Sequence, residues 1–471
     1  MQGEQLLHEL WRQVGADPAA LSCLRLTGGT ASLPSFYQVG ALATATVAAQ
    51  ALAAGELWHL HHGRRQEIAV DRRHALAACR SERYLLLDHG PPPEPWSPLS
   101  GFYRAAGAGW IQLHTNFPAH RDGVLRVLQC ADDRSAVAAA IARWDAGELE
   151  DRLAGQGLCA SMIRSPAGWQ AHAQAAALAA LPLLEIVRIG EAAPELPGER
   201  SGMVPGSATR PLDGVRVLDL SRVIAAPVAA RTLAQHGAEV LAVGAAHLPN
   251  IASLVIDTGR GKRSTLLDLR EPAQQASLEA LVRDADVYVQ AYRPGTLAAR
   301  GLSAGALCAL RPGLIQVTLS AYSHAGPWAP RRGFDSLVQS ATGIAWQEGR
   351  AAGLDGPGKL PCQALDHATG YLAALGAMIA LHRRAREGGS WLVRVSLAQT
   401  GRWLQSLGPA GRSNAVELSE GEVDAWRQST ASAFGLISAI APVEQMAETP
   451  ARFATPPVPL GTHSPHWTAR R

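Results

Sequence analysis

Between residues 215 and 322 the chain alternates short apolar runs with helical segments, and this alternation restricts the fold more than any other feature. "VRVLDL" (215–220), "EVLAV" (239–243), "RSTLLDL" (263–269), "DVYVQAY" (286–292) and "GLIQVTLSAY" (313–322) read as strands. Between them, "APVAARTLAQHGA" (226–238), "EPAQQASLEALVRDA" (271–285) and "GALCAL" carry helical spacing. Short strands separated by helices predict an α/β fold with a parallel, doubly wound sheet. Ligands of such sheets dock beyond the strand C-termini, in the loops that feed the next helices.

The N-terminal half is organised differently. Residues 41–58 read as an Ala-rich helix, followed by the basic turn "HLHHGRRQ" and a short strand "EIAV". "GFYRAAGAGWIQLHTNFPAH" (101–120) is strand-like with a turn at its centre, and two helical stretches surround "AVAAAIARWDAGELEDRLAGQG". A Gly/Pro/Ser-rich break over 190–214 separates this half from the alternating region. A weak internal repeat spans the two halves: "VGALATATVAAQALAAG…RRQEIAVDRRHALA" has the layout of "TGYLAALGAMIALHRRAREGGSWLVRVSLAQTGRWL". Each is a helix, a basic Gly-containing turn, a strand and a helix, a pattern that shared α/β grammar also produces.

With 471 residues there is room for two or three domains with a sizeable core. The net charge of +3 is too mild for a nucleic-acid partner, so any anion-binding surface must be local. Six scattered cysteines without a CxxC pair suit a reducing compartment, with no disulfide framework and no zinc site. The opening "MQGEQLLHELWRQVG" is polar, unlike a signal peptide, and the longest apolar run is broken by Thr, Gln and Glu. A cytoplasmic enzyme with no membrane partner is the expectation.

Several stretches are suited to chemistry. "PCQALDHATGYLAALGAMIAL" (361–381) places Asp366 at the mouth of a helix made for burial. There it serves as an N-cap, or as a positioned, ionised nucleophile or base; the local sequence leaves both open. "DTGRGKRST" (257–265) sets glycines beside Lys262 and Arg263, fit either to wrap a phosphate or to form a solvated turn. It lacks the spacing of a Walker loop. "AYRPG" (291–295) ends a strand with Arg293, and Arg300 lies a short way on. The small residues of "SRVIAAP" (221–227) admit a ligand to the backbone at a helix N-terminus. "GPWAPRRGFDSLVQSATG" (326–343) carries two arginines and Asp335, a second capping candidate. The histidines of "HLHHG" and "HTNFPAH" have no partners at ligand spacing, so no metal is expected.

Read in series, "PLDGVRVLDLSRVIAAPVAARTLAQHGAEVLAV", "GKRSTLLDL", "ADVYVQAYRPGTLAARGL", "RPGLIQVTLSAYSHAGPWAPRRGFDSLVQSATG" and "ALDHATGYLAALGAMIAL" resemble the family III CoA-transferases of the CaiB/BaiF type. Order and spacing agree over about residues 211–407, and "PPVPLGTHSP" is similar to the family's closing segment. "GFYRAAGAGWIQLHTNF" and "ELEDRLAGQGLCASMIRSPAGWQAHAQ" resemble its small domain. The resemblance implies a Rossmann-like doubly wound large domain plus a smaller α+β domain, in a rearranged or duplicated two-half architecture. On that basis residues 1–195 form a partial repeat with the small domain, and 196–211 a linker. Residues 212–410 form the large domain, and 411–471 a C-terminal segment that packs back on it.

The resemblance also implies a function: transfer of CoA from an acyl-CoA to a carboxylic acid acceptor, through an aspartyl anhydride and an aspartyl-CoA thioester on Asp366. CoA and acyl-CoA are substrates, with no permanently bound cofactor, and the family's interlocked dimers imply a homodimer. The family's CoA contacts map onto Ile224 and Ala225, onto Lys262, Arg263 and Ser264, onto Ala291, Tyr292 and Arg293, and onto Arg300 and Arg332. His367 and Asp335 are auxiliary candidates. Two departures stand out: "LAVGAAH" lacks an arginine common after the second strand, and there is no covering run of glycines. A 2-methylacyl-CoA racemase-like reaction is the alternative, although Phe334 stands where that branch has a histidine and His367 would have to substitute. A non-catalytic CoA-binding paralogue is another.

Overall fold

The computed structural model describes residues 2–30, 32–410, 415 and 417–469. Of the expected C-terminal segment, residues 411–414, 416, 470 and 471 therefore lie outside the described residues. The elements that build the site are α1 (Val39–His62), β1 (Glu185–Gly190), β2 (Arg216–Leu220), α2 (Ala225–Gln235), β3 (Glu239–Gly244), β4 (Lys262–Leu266), α3 (Pro272–Arg283), β5 (Val287–Gln290), α4 (Ala304–Leu310), β6 (Ile315–Ser320), α5 (Asp335–Ala341), α6 (Ala364–Glu387), β7 (Ser390–Ser396) and α7 (Leu397–Ser406).

The strands form one seven-stranded sheet in the order β4-β3-β2-β5-β6-β7-β1. The chain winds outward from β2 to β4, returns to place β5 on the other side of β2, and winds outward again. All neighbours are parallel except β7 and β1. The α/β, doubly wound reading thus holds for six strands, while an antiparallel seventh closes one edge. β2 is covered on both faces, so all five of its residues are buried: Val217, Leu218 and Leu220 are apolar, and the charge of Asp219 is met by Lys262.

Helix α6 is enclosed on nearly every side. It is the one helix among the described residues long and apolar enough to cross a membrane, and protein surrounds its apolar part, while Arg386 and Glu387 at its end are exposed. Its alanines allow close approach by α1 and α2, which pack directly against it. Residues of both chain halves contribute to this one core, from Leu6 to Met446.

A smaller α+β unit has a core of its own around Tyr103, Ile111, Val124 and Leu149. Its antiparallel sheet comprises Gly101–Arg104, Trp110–Leu113 and Ala160–Met162. Two further three-stranded sheets each combine N-terminal with C-terminal strands. Leu24–Thr27 and Ile68–Asp71 are joined by Glu444–Met446, and Leu86–Leu87 is joined by Arg427–Ser432 and Gly435–Ile440. Beyond these strands the tail runs back across the large sheet. Gly261 N–H donates to the Thr455 carbonyl (2.9 Å), and Trp467 Nε1 donates to the Leu281 carbonyl (3.0 Å).

Candidate functional site

The sheet reverses its winding direction between β2 and β5, and the loops that leave those two strands part to form a crevice. A cavity of about 380 Å³ occupies it, a size suited to a small-molecule ligand. Its walls are Ser221–Ala226 after β2, Ala291–Arg293 after β5, Leu319–Ala321 at the end of β6 and Arg331–Phe334 before α5. Asp366 and, from the small unit, His120 also line it. Val223, a β-branched residue at φ +75°, is held in a conformation that costs of the order of 1–3 kcal/mol. This strained turn leads into Ile224, the residue that caps α2.

Of the residues mapped from the sequence, Ile224, Ala225, Ala291, Tyr292, Arg293, Arg300, Arg332 and Asp366 all line this one cavity. Arg222, Arg293, Arg300 and Arg332 have no carboxylate partner among the described residues. Arg222 lies over the Phe117 ring at 5.3 Å and donates to the Pro249 carbonyl at 2.8 Å. Burial lowers the pKa of both Arg222 and Arg293, and the neighbouring Arg332 lowers them further. Such a cluster favours an anion.

Lys262, Arg263 and Ser264 are placed elsewhere. Lys262 is buried, with Nζ 2.8 Å from Asp219 Oδ2 and 2.8 Å from the Pro227 carbonyl. Arg263 pairs with Glu239 at 2.9 Å and reaches the His466 carbonyl at 2.7 Å. Ser264 Oγ accepts from Gly461 N–H at 3.1 Å. All three line a smaller adjoining cavity of about 70 Å³, beneath the returning tail. The loop that looked fit for phosphate thus spends its cations on internal carboxylates.

Asp366 sits at the third position of α6. Its backbone N–H donates to Asp335 Oδ2 at 3.0 Å, so Asp335, reaching over from α5, caps the helix. Gln339 one turn along α5 donates to Asp335 Oδ1, and its own Oε1 accepts from Leu360 N–H at 2.9 Å. The Asp366 carboxyl itself has no hydrogen-bond partner among the described residues. Burial pushes its pKa well above the usual carboxylate range, and the Asp335 and Glu82 carboxylates push it further. Asp335 is raised to about 6, mainly by burial. Here the structure corrects the expectation that the helix terminus keeps Asp366 ionised. The first-turn N–H goes to Asp335, and desolvation with two nearby acids outweighs what remains of the helix dipole.

His367 follows Asp366 but is fully buried and is not part of the cavity wall. Its Nε2 lies 2.8 Å from Glu82 Oε2. It is thus poorly placed as a second base. Phe334 stacks on His114 with centroids 3.7 Å apart.

Three residues escaped the sequence reading. Arg222 had a signal, a cation directly after the first strand, within a stretch valued only for its small residues. His120 had one only as a metal-ligand candidate and Glu82 had none, because tertiary packing alone brings them there. His120 Nε2 lies 3.1 Å from Arg332 NH1; burial and the two nearby arginines lower its pKa to about 4, so it is neutral and accepts that hydrogen bond.

The doubly wound sheet thus carries, at its reversal point, an arginine-rimmed crevice with a buried acid in its wall. The model of CoA-transferase family III matches residues 212–432, and this stretch of the chain is similar to that family. An acetyl-coenzyme A transferase of Hypoxylon pulicicidum is 34% identical over 204 residues, 42% of this chain and 34% of that one. An acyl-CoA transferase of Gibberella moniliformis is 30% identical over 321 residues, 63% of this chain and 55% of that one. The crystal structure of Rv3272 from M. tuberculosis shares 32% identity over 42% of this chain and 58% of its own, with a TM-score of 0.39. The chain therefore spans between a third and just over half of the length of these relatives.

Proposed function

We propose that the protein is an acyl-CoA:carboxylate CoA-transferase in which Asp366 is the covalent nucleophile. The observation that carries this reading is a carboxyl that has no hydrogen-bond partner among the described residues, in the wall of a cavity rimmed by four arginines that have no carboxylate partner among them either. The Arg222, Arg293, Arg300 and Arg332 guanidiniums would hold the phosphates of CoA, and the start of α2 at Ile224 and Ala225 would pack against it closely.

The ionised Asp366 carboxylate attacks the thioester carbonyl, the C–S bond breaks, and CoA leaves as thiolate from an acyl–aspartyl anhydride. The thiolate then attacks the aspartyl carbonyl, which releases the donor acid and leaves an aspartyl-CoA thioester. The acceptor carboxylate displaces CoA to give a second anhydride. CoA attacks the acceptor's carbonyl, departs as the new acyl-CoA and restores the Asp366 carboxylate. A poorly solvated carboxylate is the better nucleophile once ionised. Asp335 holds the turn that presents it. All six cysteines are free, as suits the reducing cytoplasm in which the reading places the enzyme.

Intact-mass measurement after mixing with a panel of acyl-CoAs tests the reading. Wild type should gain an acyl or CoA adduct that hydroxylamine removes, and Asp366→Ala should gain none. CoA binding without any adduct would replace the transferase with a silent binding protein.

A further inference from the structure

Two parts of this chain are built alike in detail. Helices α1 and α6 each run for 24 residues. Each follows a glutamine in the same uncommon conformation, φ −82° and ψ 58° at Gln38, φ −76° and ψ 60° at Gln363. Each stops at a glycine of positive φ, 69° at Gly63 and 68° at Gly388. Each then leads to a strand, Ile68–Asp71 or β7, whose last side chain caps the next helix. Asp71 accepts from Arg73 and His74 N–H, and Ser396 from Gln399 N–H. Each strand has one parallel neighbour, Leu24–Thr27 or β6, and one antiparallel neighbour, Glu444–Met446 or β1. Agreement over successive elements, caps and pairing directions goes beyond shared α/β grammar.

The copies differ where chemistry is concerned. With the two helices aligned from their first residues, Ala41 stands opposite Asp366. The copies are also interlocked: β1, which follows the first copy, completes the sheet of the second, and Glu444–Met446, which follows the second, completes the sheet of the first. α1 and α6 pack on each other in the shared core. Just past the last helix of the first copy, Ser81 Oγ donates to Asp257 Oδ2 (2.6 Å) and Glu82 accepts from His367 (2.8 Å). The first contact is buried and the second partly buried, and both reach into the second half of the chain, the latter one residue from Asp366. Glu82 is not part of the cavity wall.

We propose that the α1 copy stands in for a partner subunit: it has no reactive acid of its own, and through Glu82 it fixes the first turn of α6, so that one polypeptide completes a single reactive site. The pairing that the family resemblance implies between two chains is met inside one. The role of Glu82 as a positioning residue rests on the reading of Asp366 as nucleophile; the stand-in for a subunit does not.

Sedimentation of the wild-type protein at micromolar concentration uses no variant and should give the mass of one chain, 49.6 kDa. A dimer overturns the proposal. Glu82→Ala, which removes the hydrogen bond to His367, should slow adduct formation about tenfold at high pH, where Asp366 has titrated and the lost Glu82 charge no longer alters its ionisation, while CoA affinity stays within about twofold. A loss confined to affinity overturns the positioning role. Mixing Glu82→Ala with Asp366→Ala at that high pH should give the weighted sum of the two activities. Regained activity would mean that Glu82 acts across chains, against the proposal. If wild type forms no adduct at all, the nucleophile reading and with it the role of Glu82 fall, and sedimentation alone decides the stand-in.

Discussion

The pKa of Asp366 is raised because burial and the Asp335 and Glu82 carboxylates disfavour its charge, and this is measurable in two ways. A carboxyl whose folded pKa is raised contributes stability that is intact below its unfolded pKa of about 3.9 and is lost as pH rises through the folded value. Asp366→Asn should therefore melt higher than wild type at pH 7.5, and the difference should vanish near pH 4; a variant that melts lower at pH 7.5 would mean a stabilised carboxylate. For the same reason adduct formation should accelerate with pH until Asp366 has titrated. The arginines separate by partner. Arg332→Ala removes a cation with no carboxylate of its own, so CoA affinity measured by calorimetry should fall by about 10- to 100-fold. Lys262→Met strands the buried Asp219 instead, costing about 3–5 kcal/mol in chemical denaturation and little affinity. That contrast marks the limit of legibility at this scale. A glycine-flanked Lys-Arg pair looks the same in sequence whether it faces a phosphate or an internal carboxylate, and only the position of Asp219 decides.

At the scale of elements, the crossing of α2 and α6 is the sensitive joint. A Cβ on Gly370 would lie 2.4 Å from the Ala225 carbonyl oxygen and 2.9 Å from the Val228 side chain. Ala for Gly inside a helix ordinarily gains up to about 1 kcal/mol. Here Gly370→Ala should lose about 1–3 kcal/mol in a denaturant titration and weaken CoA binding, because α2 carries Ala225 in the cavity wall. The strands from β2 to β6 were readable because short β-branched or apolar runs alternate there with segments of helical spacing. β1 was not: an edge strand carrying Glu185 and Arg188, partly exposed and running into a Gly/Pro-rich break, lacks that signal. The capping of α6 was half legible. A carboxylate was expected at its mouth, but the chain supplies two, and the distant Asp335 takes the structural role.

Across the whole molecule, both halves feed one core and every copy borrows a strand from the other half. Calorimetry should accordingly show a single unfolding transition for the catalytic core; two resolved transitions separating residues before and after 200 would contradict the shared packing. The borrowing of β1 also sets an order of events during synthesis. β1 leaves the ribosome about 200 residues before β7, its one neighbour in the sheet among the described residues, which at ~5–20 residues per second is a wait of roughly 10–40 s. For that interval the nascent chain exposes a strand with nothing to pair to. The charges that hid β1 from a hydrophobic reading are the feature that protects such an edge from unwanted pairing until the second half arrives.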